Sequence, residues 1–367
     1  MATKTIVIDH GSGFVKAGLA GCNVPQLVVP NIVNYMPCRE NPGPSYARRR
    51  VSLGINFIHP DTFSYPIERG RVLNWEGVEH IWSFIMRKHR EEHEDCPVLI
   101  TESPLREPSD RRKTLEIMFE FLDVPSLLLA DQLEMSLYSS GHLTGVVVDS
   151  GYGLTRVKSF HLGYPVHSSC QTLEFAGQDL STYLCKSLFK EDADLRNLFQ
   201  METVAKTQMN KCYVPLNLAK ALDFFQSLPG GSDNDNTYQL PDGTTVELTP
   251  MQQLAPEMFF SPHVFDLPGP SISQLFLESL KACDSTLHPI LMSHVVACGG
   301  NTLYPGFSKR LCKELVTNDL LSPADSSVWV GSNRNFSVWL GASVVAHLSS
   351  FKSQWMTREE YDEGLKI

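Results

Sequence analysis

Two short stretches hold residues whose types and spacing could cradle a polyphosphate. "IVIDHGSGFVKAG" begins at Ile6 and "VVVDSGYGLTRV" at Val146. Each runs a β-branched strand into an aspartate, then a turn of small residues, then a second strand. Small residues let backbone amides approach an anion, because no Cβ holds the chain away. A carboxylate at the strand end can hold the water shell of a magnesium ion, and a cation can sit on the terminal phosphates. In the first stretch these parts are Asp9, the amides of Gly11, Ser12, Gly13 and Phe14, and Lys16. In the second they are Asp149 and the amides of Ser150, Gly151, Tyr152 and Gly153, with Arg156 shortly after. A third Gly-rich turn, "CGGNTLYPG" from Cys298, follows the apolar "SHVVA" and suits the edge of an adenosine. Any one such turn is more often a tight connection between packed strands. Three in one chain, two of them alike, favour phosphate. A buried Lys16 would in either case need an anionic partner.

The elements that must position these residues alternate. Asp9 and Asp149 stand 140 residues apart (149 − 9), so the two strand–turn–strand units read as a duplicated architecture. "REPSDRRKTLEIMFEFL" (Arg106–Leu122) opens on Pro108, Ser109 and Asp110 and puts Leu115, Met118, Phe119 and Leu122 on one helical face. "AGQDLSTYLCKSLF" (Ala176–Phe189) repeats the pattern with Leu180, Tyr183, Leu184 and Leu188. Strands such as "PVLIT" and "SLLLA" interleave with them, which predicts α/β sheets with helices packed outside. Two segments interrupt the alternation. Residues 34–61 are proline-rich and read as a loop-rich insertion, and "SLPGGSDNDNTYQLPDG" from Ser227 reads as a polar turn region.

Composition narrows the function classes. With 367 residues, about two domains are expected. A net charge of -10 argues against nucleic acid as the main partner, because phosphate contacts need a basic face. The run Arg48-Arg49-Arg50 reads as a solvated loop. Nine cysteines with no CxxC spacing read as reduced thiols in an intracellular chain rather than a disulfide or zinc framework. The uncharged run Phe336–Phe351 is too short and too polar for a membrane span and reads as a buried helix.

Longer runs carry a family resemblance. "IVIDHGSGFVKAGLAG", "YPIERGRVLNWEGVEHIW", "PVLITESPL", "DQLEMSLYSSGHLTGVVVDSGYG", "LPDGTTVELTP", "ACGGNTLYPG" and "FSVWLGASVVAHLSSF" occur in this order. The chain resembles the actin family over almost its whole length, and within it a divergent, germline-type branch. The resemblance implies an α/β actin-like fold: two ribonuclease-H-like domains around a nucleotide cleft, each with a smaller appended subdomain. The implied first domain is 1–138 with 336–367 and an insertion at 31–65. The implied second is 139–335 with an insertion at 176–265. Carried over by motif, Asp9, Gly11, Ser12, Gly13, Phe14 and Lys16 form the first phosphate loop, and Asp149, Ser150, Gly151, Tyr152 and Gly153 the second. Gly177, Gly299, Gly300, Asn301 and Tyr304 match nucleotide contacts, and Asp9 and Asp149 match the water-mediated metal ligands. Gln132 matches the glutamine that positions the attacking water. The implied cofactor is ATP or ADP with Mg2+ or Ca2+.

The departures from the family pattern shape the expected function. Conventional actins carry an Asp where this chain has Tyr152 and a His where it has Arg156. The first change removes a carboxylate and adds bulk; the second replaces a group able to accept a proton with one that cannot. Ala205, Gln208 and Met209 stand in place of Arg, Lys and Glu near the nucleoside, Asn335 in place of a Lys, and Arg69 in place of a His. The expectation is a cytoplasmic, cytoskeletal protein that acts through contacts with other cytoskeletal or actin-family proteins. Its degenerate cleft would bind nucleotide weakly or not at all, and a conventional homopolymer is not expected. The alternative is a nucleotide-binding ATPase that polymerises or caps filaments.

Overall fold

The computed structural model describes every residue except 1–3, 37–49, 54–62, 91–94, 105–106, 196, 228–236, 240–242, 244, 319–327 and 365–367. The chain divides into two compact units, residues 1–143 with 335–367 and residues 144–334.

The run IVIDH is buried from end to end as the strand Ile6–His10, the pattern of a strand covered on both faces. It lies inside a six-stranded sheet ordered Met356–Thr357, Ser126–Asp131, Val98–Glu102, Ile6–His10, Phe14–Leu19, Leu27–Pro30. The three central strands are parallel, and Ile6–His10 and Phe14–Leu19 form an antiparallel hairpin. One face is covered by the helix Trp75–Arg90, which buries Val78, Ile81, Trp82 and Ile85. The other is covered by the helix Ser337–Val345, which places Trp339, Ala342 and Val345 on Val7, Leu99 and Leu128. Trp339 Nε1 donates to the Val7 carbonyl at 3.1 Å, so its one polar atom is satisfied inside the core. That helix lies against Gln132–Tyr138 so closely that a Cβ on Gly341 would sit 1.7 Å from the Met135 carbonyl oxygen. The first part of the uncharged run is therefore a largely buried helix, as its composition predicts, whereas residues 347–350 of the run are exposed beyond the helix end.

The second unit repeats the plan. Its sheet runs Tyr164–Pro165, Thr155–His161, Gly145–Ser150, Val295–Cys298, Val328–Trp329, with Gln171–Leu173 also paired to Thr155–His161. Gly145–Ser150 is again a fully buried strand, antiparallel to its hairpin mate and parallel to Val295–Cys298. The helix Gly177–Phe189 buries Leu180 and Leu184 in a core shared with Phe259, Phe276 and Phe307, and Tyr183 and Leu188 pack at its margin. No helix of the described residues is long and apolar enough to cross a membrane.

Two elements differ from what the sequence predicts. The helix expected to run through to Leu122 stays α-helical only over Pro108–Glu116 and continues as a π-turn, Ile117–Phe121. The extra residue per turn keeps Ile117, Met118 and Phe119 all buried, at the edge of a stripe that 3.6-residue periodicity describes incompletely. The loop-rich insertion contains a small antiparallel sheet, Arg50–Leu53 on Val33–Met36 on Phe63–Ser64. Pro37, Pro42, Pro44 and Pro60, which suggested a loop, lie outside the described residues, as do most of the residues in 227–243.

Candidate functional site: two glycine hairpins

The first hairpin closes through the Gly11 amide, which donates to the Phe14 carbonyl at 3.1 Å. Strand register sets Asp9 opposite Lys16. Lys16 Nζ reaches Asp9 Oδ2 at 2.8 Å, with the carboxylate side chain 2% exposed and the lysine 18%. The partner that a buried Lys16 requires is thus Asp9. Parallel pairing aligns Asp9 with Thr101, and Thr101 Oγ1 donates to Asp9 Oδ1 at 2.9 Å. Gln132 follows the next parallel strand, and its Nε2 lies 3.5 Å from the same oxygen. Asp131 fixes that position by capping the helix, accepting from the Leu133 and Glu134 amides at 2.7 and 3.1 Å. Asp9, Thr101 and Gln132 therefore meet at the carboxyl ends of three parallel strands, where α/β sheets bind ligands.

Asn31 is a support that the sequence motifs do not reveal. It is fully buried, donates to the carbonyls of Ser12 and Ile67 at 2.9 and 2.8 Å, and accepts from His10 Nε2 at 2.9 Å. Ser12 Oγ accepts from the Gly70 amide at 3.1 Å. Arg69 and Gly70 both have left-handed backbone, at φ 44° and 72°, in the turn between Ile67–Glu68 and Arg71–Val72. No local pattern marks Asn31, because its partners lie 19 and 36 residues away.

The second hairpin has the same construction. The Gly151 amide donates to the Leu154 carbonyl at 2.9 Å, and register sets Asp149 opposite Arg156. Arg156 Nη2 donates to Asp149 Oδ2 at 2.9 Å, with the two side chains 6% and 10% exposed. Arg156 thus holds in this hairpin the place that Lys16 holds in the first. The other oxygen, Asp149 Oδ1, lies 3.8 Å from Cys298 Sγ and 2.8 Å from where a Cβ on Gly299 would stand.

Several residues matched to nucleotide contacts support this hairpin directly. The Gly177 and Gln178 amides donate to the Gly151 and Tyr152 carbonyls at 3.1 and 2.7 Å, so the turn caps the start of the helix. A Cβ on Gly177 would approach Asn301 Oδ1 to 2.9 Å. Asn301 Nδ2 donates to the Gly151 carbonyl at 2.7 Å and to Ser150 Oγ at 3.1 Å. Gly299, at φ 90°, passes so near that a Cβ would lie 2.3 Å from the Ser150 carbonyl oxygen, whereas one on Gly300 would meet nothing within 4 Å. Tyr304 packs at the margin of the core, and burial pushes its phenol well above the usual range. On the helix Leu198–Lys211, Ala205 is exposed, Met209 is 80% exposed, and Gln208 Nε2 bonds Ser181 Oγ at 3.0 Å.

Proteins of the actin family generally bind nucleotide with a divalent metal ion. The carboxylate of the second hairpin does not fit such an ion. Asp149 is held by Arg156, so it already carries a resident cation. Asp9, by contrast, keeps Thr101 beside it together with Lys16 and Gln132, two residues the family resemblance implies for this site.

Comparison with known proteins gives the wider setting. The actin family model matches residues 1–366. The human protein described as actin-like protein 8 is 69% identical over 367 residues, which is the full length of both chains. The duplicated hairpins, their parallel sheets and the full-length match agree: the chain belongs to the actin family.

Proposed function

We propose that this chain is a structural member of the actin family, acting through protein–protein contacts in a cytoplasmic, cytoskeletal assembly, with weakened nucleotide binding and with hydrolysis given up. The observation that carries this reading is the buried Arg156–Asp149 pair. A guanidinium has no acceptor and stays protonated, so it cannot take a proton from water as an imidazole can. Tyr152 supplies no carboxylate to the turn. Replacing a charged side chain at Ala205, Met209 and Asn335 removes about 1 kcal/mol of affinity per hydrogen bond, and every 1.4 kcal/mol is about tenfold. The partners we propose are other cytoskeletal or actin-family proteins, on the family resemblance alone.

Phosphate release from ATP by the wild type and by the Tyr152→Asp, Arg156→His double variant tests the proposal. The expected result is no release above background for the wild type and a measurable rate for the variant. Equal, appreciable rates would favour the second reading, an actin-type ATPase. One observation supports that reading: Lys16, Thr101 and Gln132 all remain gathered on Asp9.

A further inference from the structure

The second hairpin balances its own charge. Asp149 lies in a strand between Val148 and Ser150, both fully buried, and is itself 7% exposed. A carboxylate in that position needs a positive partner, because an uncompensated buried charge is strongly destabilising. In a family whose members bind nucleotide with a divalent ion, the ion's positive charge and its water shell would face such a group. Here a side chain of the same hairpin meets the need. Arg156 stands directly across the ladder from Asp149, its Nη2 is 2.9 Å from Oδ2, and its side chain is 6% exposed. Oδ1 is flanked by Cys298 and the Gly299 backbone. A dication brought to this carboxylate would displace the guanidinium or sit beside it against charge repulsion.

We propose that Arg156 is a built-in counter-ion that takes the place of the divalent cation at Asp149, making this protein's stability indifferent to Mg2+ and Ca2+. The proposal rests on reading the hairpin as an altered phosphate loop, since only there is a dication expected. It goes further in assigning Arg156 a positive role rather than a lost function. Register places Arg156 against Asp149 as it places Lys16 against Asp9, and of the two cations only Arg156 departs from the family pattern.

The test uses full-length, nucleotide-free protein stripped with EDTA and titrated with Mn2+, reading bound ion by electron paramagnetic resonance and stability by thermal melting. The wild type is expected to show no Mn2+ site that Asp149→Asn removes, and the same melting temperature in EDTA and in millimolar Mg2+. Arg156→His is expected to melt roughly 10 °C lower, because it leaves Asp149 unpaired, to recover part of that loss on adding Mn2+, and to bind the ion at least about tenfold more tightly than the wild type. Arg156→Lys keeps the charge and is expected to remain metal-indifferent. Should Arg156→His fail to fold, the wild type and Arg156→Lys still decide. A wild-type Mn2+ site that Asp149→Asn removes, metal-dependent melting of Arg156→Lys, or a folded Arg156→His with no gain in Mn2+ binding each overturns the proposal. Phosphate release is read separately: hydrolysis by the wild type in EDTA would refute the structural reading and leave the counter-ion intact.

Discussion

At the residue scale, the glycines of the third turn separate into one fixed by packing and one that is not. Gly299 has φ 90°, where a side chain is strained, and a Cβ there would overlap the Ser150 carbonyl oxygen. Both effects act on the backbone that carries Asp149. Gly299→Ala is therefore expected to cost about 2–4 kcal/mol, read from the midpoint of urea unfolding. Gly300 begins a short 3-10 turn with open space at its Cβ. Gly300→Ala is expected to change stability by less than about 0.5 kcal/mol. Near-equal costs at the two positions would contradict the close approach. Adjacent glycines in "ACGGNTLYPG" look interchangeable in sequence, and only the neighbouring strand distinguishes them.

At the element scale, the second unit buries phenol and thiol groups where desolvation disfavours their ionised forms. Burial pushes the Cys212 thiol from 9.0 up to about 12 and raises the phenols of Tyr183, Tyr213 and Tyr304. The sign follows from linkage. Between its unfolded and folded values the thiol is ionised in the unfolded chain and protonated in the native one, so the native state holds more protons and loses stability as pH rises. The stability that Cys212 contributes is complete below about 9 and is lost as the pH climbs toward about 12. Cys212→Ala is expected to flatten the fall of the urea midpoint over that window while lowering the plateau slightly, through the small cavity it leaves. A slope unchanged from the wild type would show that the thiol does not contribute. The hairpins obey a second rule of the same scale. A tight turn closes each one through a glycine amide, and the register then decides which side chain faces the aspartate.

At the scale of the whole molecule, two units carry two similar hairpins, and the nucleotide chemistry implied by the family falls on residues already engaged in holding those hairpins together. Asn301 and Gly177 bond to the second turn and Gly299 packs against the strand that enters it, while Asn31 and Gly70 bond to the first. The loops can thus keep their form without a ligand. Millimolar ADP is expected to raise the melting temperature by no more than about 1–2 °C, corresponding to a dissociation constant in the millimolar range and roughly 0.4 kcal/mol at half saturation. A shift several times larger would mean that the substitutions at Ala205, Met209 and Asn335 are compensated.

The family, the α/β class, the buried helix at Ser337–Val345 and the two glycine hairpins are all legible in the sequence, because they depend on local period, turn chemistry and long ordered runs. In sequence Arg156 reads as the replacement for a His, and only strand register makes it the counterpart of Lys16. Local pattern could not show what each aspartate touches. Thr101 and Gln132 reach Asp9 through parallel strands 92 and 123 residues further along, and Asn31 acts across 19 and 36 residues. Strand register and chain packing decided those meetings. They also turned Arg156 from a missing imidazole into the cation that Asp149 needs, since a buried charge is balanced by whatever the fold brings within hydrogen-bond reach.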